Sequence, residues 1–127
     1  MKNVKQVIVV RKDLKMRRSR LAALVSQVAS KFITENNESN RGDELHVKLS
    51  KQEADWINNS SLPIVLGVNS QDALNDLILK AEILNINVNT TTKDSGKPDD
   101  DSELLCASFG PDEDDLINQV TGNLKPI

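Results

Sequence analysis

The sequence has no tyrosine, two phenylalanines and one tryptophan, so aromatics make up only 2% of its 127 residues. A core must then be assembled from Leu, Ile, Val and Ala. The scarcity of rings also argues against a base-stacking surface for single-stranded nucleic acid. Cys106 is the only cysteine, which excludes an internal disulfide framework and a multi-cysteine zinc site. His46 is the only histidine, which excludes a histidine-rich metal cluster. No apolar run approaches the roughly 18 residues of a membrane helix. The opening residues, MKNVKQVIVVRKD, lack the apolar stretch and small-residue cleavage site of a secretory signal. A soluble, reducing, cytoplasmic setting is expected, with no membrane association, no metal and no cofactor. The length fits one domain spanning 1–127.

The net charge of −3 conceals a strong polarity. Residues 1–42 carry ten Lys and Arg against Asp13, Glu35 and Glu38, a net of +7, while residues 43–127 carry a net of −10. Such an asymmetry marks the N-terminal third as an anion-binding surface, or as an unevenly charged solvated one.

Hydrophobic patterning supplies an element order. Gln6–Val10 is a β-branched run without a polar break, the pattern of a strand covered on both faces. Leu21, Leu24, Val25, Val28 and Phe32 recur at helical spacing. Ser50-Lys51-Gln52-Glu53 is a capping box ahead of a short helix. Leu62–Val68 reads as a second strand, with Pro63 at its start. Ser70 caps a helix running to Leu84. Ile86–Thr91 and Leu104–Phe109 read as strands joined by a polar loop, and Gly110-Pro111 is expected to end the last of them. Asp112–Asp115 then place acids in the first turn of a final helix. Helices between strands indicate an α/β fold with a mostly parallel core and one antiparallel neighbour.

Ligands of open α/β sheets bind beyond the carboxyl ends of the parallel strands. Two polar segments would meet there if the first and third strands run the same way. The first is the turn after Gln6–Val10, with Lys15, Arg17, Arg18 and Arg20 ahead of a helix whose free N–H groups add to their field. That is a phosphate site in general terms, although the glycines of a nucleotide-binding loop are absent. The second is Lys93–Lys97, where Asp94 is the carboxylate placed to face those cations. Gln27 lies two turns beyond Arg20 on the same helix face. His46 has no second base or nucleophile in register, so a surface or half-buried histidine is expected. Cys106 lies in an apolar strand and is expected to be an inert core thiol. Asp99–Asp101 lack the spaced ligands of a calcium loop.

Four segments together resemble the type-2 peptidyl-tRNA hydrolase family. KQVIVVRKDLKM, followed by the basic quartet and LAALVSQVA, is similar to the family's V-V-R-x-D-[LI]-K-M-G-K-G-K opening. Asp94-Ser95-Gly96-Lys97 resembles its D-A-G loop. Cys106–Pro111 resembles its C-L-A-I-G-P strand end, and Thr121–Lys125 its closing T-G-x-L-K-L. The resemblance implies a three-layer α/β domain with a four-stranded mixed sheet and helices on both faces, assembled as a homodimer. It implies hydrolysis of the ester between peptide and tRNA.

The resemblance also assigns roles residue by residue. The family's essential lysine falls on Arg20, and its aspartate on Asp94, making these the implied catalytic pair. Lys15, Arg17, Arg18, Gln27 and Lys97 are the implied contacts to tRNA. The family threonines fall on Pro98 and Leu105, neither of which carries a hydroxyl. A guanidinium supplies charge but does not act as a base near neutral pH. Removing one donor that orients water or an oxyanion commonly costs about 10²–10³ in rate. Two functions of different class therefore follow: a peptidyl-tRNA hydrolase of reduced or altered activity, or a catalytically inactive relative that binds tRNA, another anion or a protein.

Overall fold

The structure is a computed structural model that describes residues 3–59, 62–93 and 103–127. The chain begins with strand β1 (Val4–Arg11), a 3-10 turn (Lys12–Leu14), and helices α1 (Arg18–Ala29), α2 (Lys31–Thr34) and α3 (Lys51–Asn58). It continues with β2 (Ile64–Val68), α4 (Gln71–Ile83), β3 (Val88–Lys93), β4 (Glu103–Glu113), α5 (Asp114–Thr121) and β5 (Lys125–Pro126). The α/β class is as expected.

The sheet has the order β3-β4-β1-β2-β5 and differs from the expectation in two ways. First, it has five strands among the described residues, not four. β5 is two residues long and adds antiparallel to β2, with Gly67 opposite Lys125 and Leu66 opposite Pro126. A Lys-Pro pair has neither alternation nor an apolar run, and proline is tolerated there because the strand lies at the sheet edge. Second, the sheet is mixed rather than mostly parallel. β1 and β2 are parallel neighbours, joined by the crossover through α1–α3. β4 lies antiparallel between β1 and β3. The first and third strands thus run the same way, as the site argument requires, but are separated by the fourth.

Two element boundaries also move. Gly110-Pro111 does not end β4, which pairs with β1 as far as Glu113 opposite Val4. Gly110 adopts a φ of +90°, and a register shift opposite Lys5–Val7 absorbs the irregularity. A strand flanked on both sides can carry such a bulge without ending. The helix read from Leu21 begins at Arg18 and divides at Ser30 into α1 and α2.

β1 is central, and its alternating side chains feed two cores. On one face Val7 and Val9 join Leu66, Ala107 and Phe109 beneath Leu74 and Ala81 of α4 and Ile117 and Val120 of α5. On the other, Ile8, Val10 and Cys106 pack beneath Val28 of α1. This two-sided burial explains the unbroken β-branched run. The buried Gln6 is satisfied by donating from Nε2 to the Ala29 carbonyl and to Ser108 Oγ, both at 2.8 Å.

Candidate functional site

The carboxyl end of β1 is held by a buried arginine. Arg11 donates from Nη2 and Nε, one edge of its guanidinium, to the two Asp13 carboxylate oxygens, at 2.5 and 3.2 Å. It also donates to Glu103 Oε1 and to the Leu104 carbonyl, each at 3.1 Å. Hydrogen bonding to Asp13 raises the Arg11 pKa against the opposing effect of burial. The same bond holds Asp13 below the ordinary carboxylate range. Arg11 therefore clips the connection after β1 to the first residues of β4. Sequence reasoning missed this clip. Its signal was an arginine and an aspartate two residues apart where a buried strand meets a polar turn.

Beyond the clip, Lys15 takes a left-handed conformation at φ 51°, and Arg17, extended, becomes the N-cap of α1. No side chain caps this helix, and its first turn contains no acid. The other long helices follow the usual rules. Ser50 and Glu53 complete a reciprocal capping box at α3. Ser70 accepts from the Ala73 N–H at α4, and Asp114 and Asp115 occupy the first turn of α5. The start of α1 instead carries Arg17, Arg18 and Arg20, at the positive end of the helix dipole.

Lys15, Arg17, Arg18 and Arg20 are exposed, and their side chains have no partner among the described residues. The structure brings these four together at the carboxyl end of β1. Gln27 is also exposed, but it lies about 10 Å further along the α1 axis by helical rise and is not part of that turn. Asp94 and Lys97, like Pro98, fall outside the described residues. The flanking residues Lys93 and Glu103 pair with each other, and Glu103 meets Arg11, so Lys93 and Glu103 lie at the same end of the sheet as the carboxyl end of β1. Leu105 is buried and falls between paired positions where the β3–β4 register shifts, from Thr91 opposite Cys106 to Thr92 opposite Leu104.

Beside the basic turn lies a hollow of about 230 Å³, lined by Val10, Arg11, Lys12, Lys15, Met16, Leu21 and Ile127. The lining combines apolar side chains with the cations Arg11, Lys12 and Lys15. The described residues contain no group of His, Cys, Asp and Glu suited to a metal ion. His46 is exposed and bonds Glu44 at 3.0 Å, away from any such group. Cys106 is fully buried; desolvation pushes its thiol pKa up despite opposing contributions from Thr91 and Lys31.

The described residues thus set an uncapped helix start rich in arginine at the carboxyl end of the central strand of an α/β sheet. Comparison with known proteins makes this specific: the family model of peptidyl-tRNA hydrolase PTH2 matches residues 4–127, and the chain belongs to that family. It is 35% identical over 123 residues to the peptidyl-tRNA hydrolase of Nanoarchaeum equitans, covering 96% of this chain and 97% of that protein. It is 29% identical over 123 residues to that of Saccharolobus solfataricus, covering 96% and 98%. Among solved structures, a protein of unknown function from Agrobacterium tumefaciens strain C58 aligns with a TM-score of 0.61 at 11% identity. That alignment covers 100% of this chain and 99% of the other, and it shows the fold alone. The family and these relatives establish a peptidyl-tRNA hydrolase-like function. No helix among the described residues is long and apolar enough to cross a membrane.

Proposed function

We propose that this protein hydrolyses peptidyl-tRNA with an altered site, in which Arg20 and Asp94 act together. The supporting observation is the cluster of Arg17, Arg18 and Arg20 at the uncapped start of α1, without side-chain partners among the described residues. A phosphodiester there supplies the negative charge that the helix start lacks, and accepts from its free N–H groups. Lys15, Arg17, Arg18 and Lys97 hold the tRNA backbone, with Gln27 a more distant contact along α1.

In the reaction, a water oxygen bonds to the ester carbonyl carbon and the bond to the ribose oxygen breaks. One proton of the water passes to the ribose oxygen and the other is released to solvent, leaving a free peptide carboxylate and tRNA. Arg20, always cationic, stabilises the developing oxyanion, and Asp94 orients the water. The protein works in the cytoplasm as a homodimer of single-domain chains.

Release of peptide from purified peptidyl-tRNA tests this reading. Wild type is expected to release peptide and Asp94→Ala to lose that activity; equal activity in both removes Asp94 from the site. Restoring Arg20→Lys, Pro98→Thr and Leu105→Thr together is expected to raise turnover, because groups acting as a unit are non-additive. Leu105→Thr buries a hydroxyl, so folding is measured alongside.

A binding-only role is the second reading. Leu105, buried where the family pattern has a threonine, favours it. A folded triple variant with no gain, together with an inactive wild type, would select it.

A further inference from the structure

A second hollow, of about 440 Å³, lies on the α4 side of the carboxyl end of β2. Its polar lining consists of Lys12, Asn69, Asn123 and Lys125, and it contains no carboxylate; Asp72, in the first turn of α4, is not part of it. None of these four side chains has a hydrogen-bond or ion-pair partner among the described residues.

The fold builds this arrangement from three separate segments. Gly67 leaves the β2 backbone bare. A β-carbon at that position would come within 2.7 Å of Lys12 Cδ and 2.8 Å of Ile127 Cγ2, so the Lys12 stem and the C-terminal residue lie directly over the strand. Gly67 also pairs with Lys125, and Lys125 lines the same hollow as Lys12. The turn after α5 delivers Asn123: the Gly122 N–H donates to the Asn118 carbonyl and the Leu124 N–H to the Thr121 carbonyl. Lys12 lines both hollows and so forms the ridge between them. A run of cations thus extends from the start of α1, over Lys12, to the opposite edge of the sheet.

We propose that this second hollow is a phosphate subsite for the tRNA strand, one in which Lys12 and Lys125 neutralise a phosphodiester and the Asn69 and Asn123 amides donate to its oxygens. The inference rests on the tRNA-binding reading above and extends it to residues outside the basic turn. Two lysines in a lining that includes no Asp or Glu favour an anion. Two unpartnered amides provide donors that a purely electrostatic patch lacks. A phosphate contact made by a lysine carries a measurable signature, because each one releases condensed counterions.

The test is the salt dependence of deacylated tRNA binding to the full-length protein. It compares wild type, Lys12→Ala, Lys125→Ala, Asn123→Asp and Arg17→Ala/Arg18→Ala, with Lys80→Ala at the far end of α4 as control. Each lysine variant is expected to weaken binding and to flatten the slope of log affinity against log salt by about 1. Asn123→Asp removes no cation, so it is expected to weaken binding by placing a carboxylate in the hollow. Lys80→Ala is expected to leave the slope unchanged. Unchanged slopes for both lysine variants, with a flattened slope for the arginine pair, would overturn the subsite and leave the tRNA reading intact. Absence of tRNA binding by wild type at low salt would overturn both. Thermal unfolding of each variant separates lost contact from lost fold.

Discussion

The starts of α1 and α4 receive the chain from the carboxyl ends of adjacent parallel strands, yet they are built on opposite plans. At α4, Ser70 caps the helix and Asp72 complements its dipole. At α1, no side chain caps the helix, no acid occupies the first turn, and three arginines gather at its positive end. One start is completed by the chain itself. The other leaves its N–H groups without a side-chain cap and its cationic charge without an acid, the feature on which the proposed tRNA contact rests. The contrast teaches that a departure from helix-stability rules, placed at the end of a sheet, is itself a functional signal.

The largest effect on stability is expected from the clip behind the α1 start. Arg11→Ala removes charge-assisted hydrogen bonds to Asp13 and Glu103 and the donor to the part-buried Leu104 carbonyl. A loss of about 2 kcal/mol is expected from such bonds, read from the denaturant midpoint at pH 7. A loss below about 0.5 kcal/mol would show that the clip does not tie the turn to β4.

Capping sharpens the comparison next. Ser70→Ala is expected to cost about 1 kcal/mol, whereas Arg17→Ser at the corresponding position of α1 is expected to add about that much. Arg17 already has the extended backbone an N-cap needs, at φ −62° and ψ 149°. A destabilised Arg17→Ser protein would mean that Arg17 makes a contact of its own.

Charge reversal gives smaller changes of opposite sign. Arg18→Glu is expected to stabilise the protein by about 0.5 kcal/mol at low salt, and Asp115→Lys at the start of α5 to destabilise it by about as much. Thermal unfolding at two salt concentrations checks both, since each effect should fade with screening.

The smallest effect concerns pH. Asp13 titrates below its unfolded value, chiefly because Arg11 donates to it. Its contribution is therefore fully present above the ordinary aspartate range, near pH 4, and is lost as pH falls through the lower folded value. The stability gap between wild type and Asp13→Asn is expected at pH 7 and should narrow as pH falls below the ordinary aspartate range. A gap that persists there would assign the destabilisation to packing.

The sequence made the architecture legible wherever burial imposed a period. The Gln6–Val10 run identified the central strand because both of its faces are covered, and Ser50 and Ser70 announced their helices by chemistry that needs no tertiary contact. What was missed depended on distant partners. β5 is defined only by its pairing with Leu66 and Gly67 of β2, and β4 continues past Gly110-Pro111 because β1 holds it. At the site, the basic turn was legible from charge and position. The Arg11 clip was not, because Glu103 and Leu104 lie more than 90 residues away in sequence. Leu105 was legible as a departure from a family motif, but not as a residue at a shift in strand register.

The comparison between the two helix starts is tested most directly by measuring tRNA binding and stability together for Arg17→Ala/Arg18→Ala. Binding is expected to weaken, with a salt slope flatter by about 2, while the unfolding midpoint stays level or rises. An unchanged slope, with or without a change in stability, would contradict the assignment of the α1 start to the tRNA backbone.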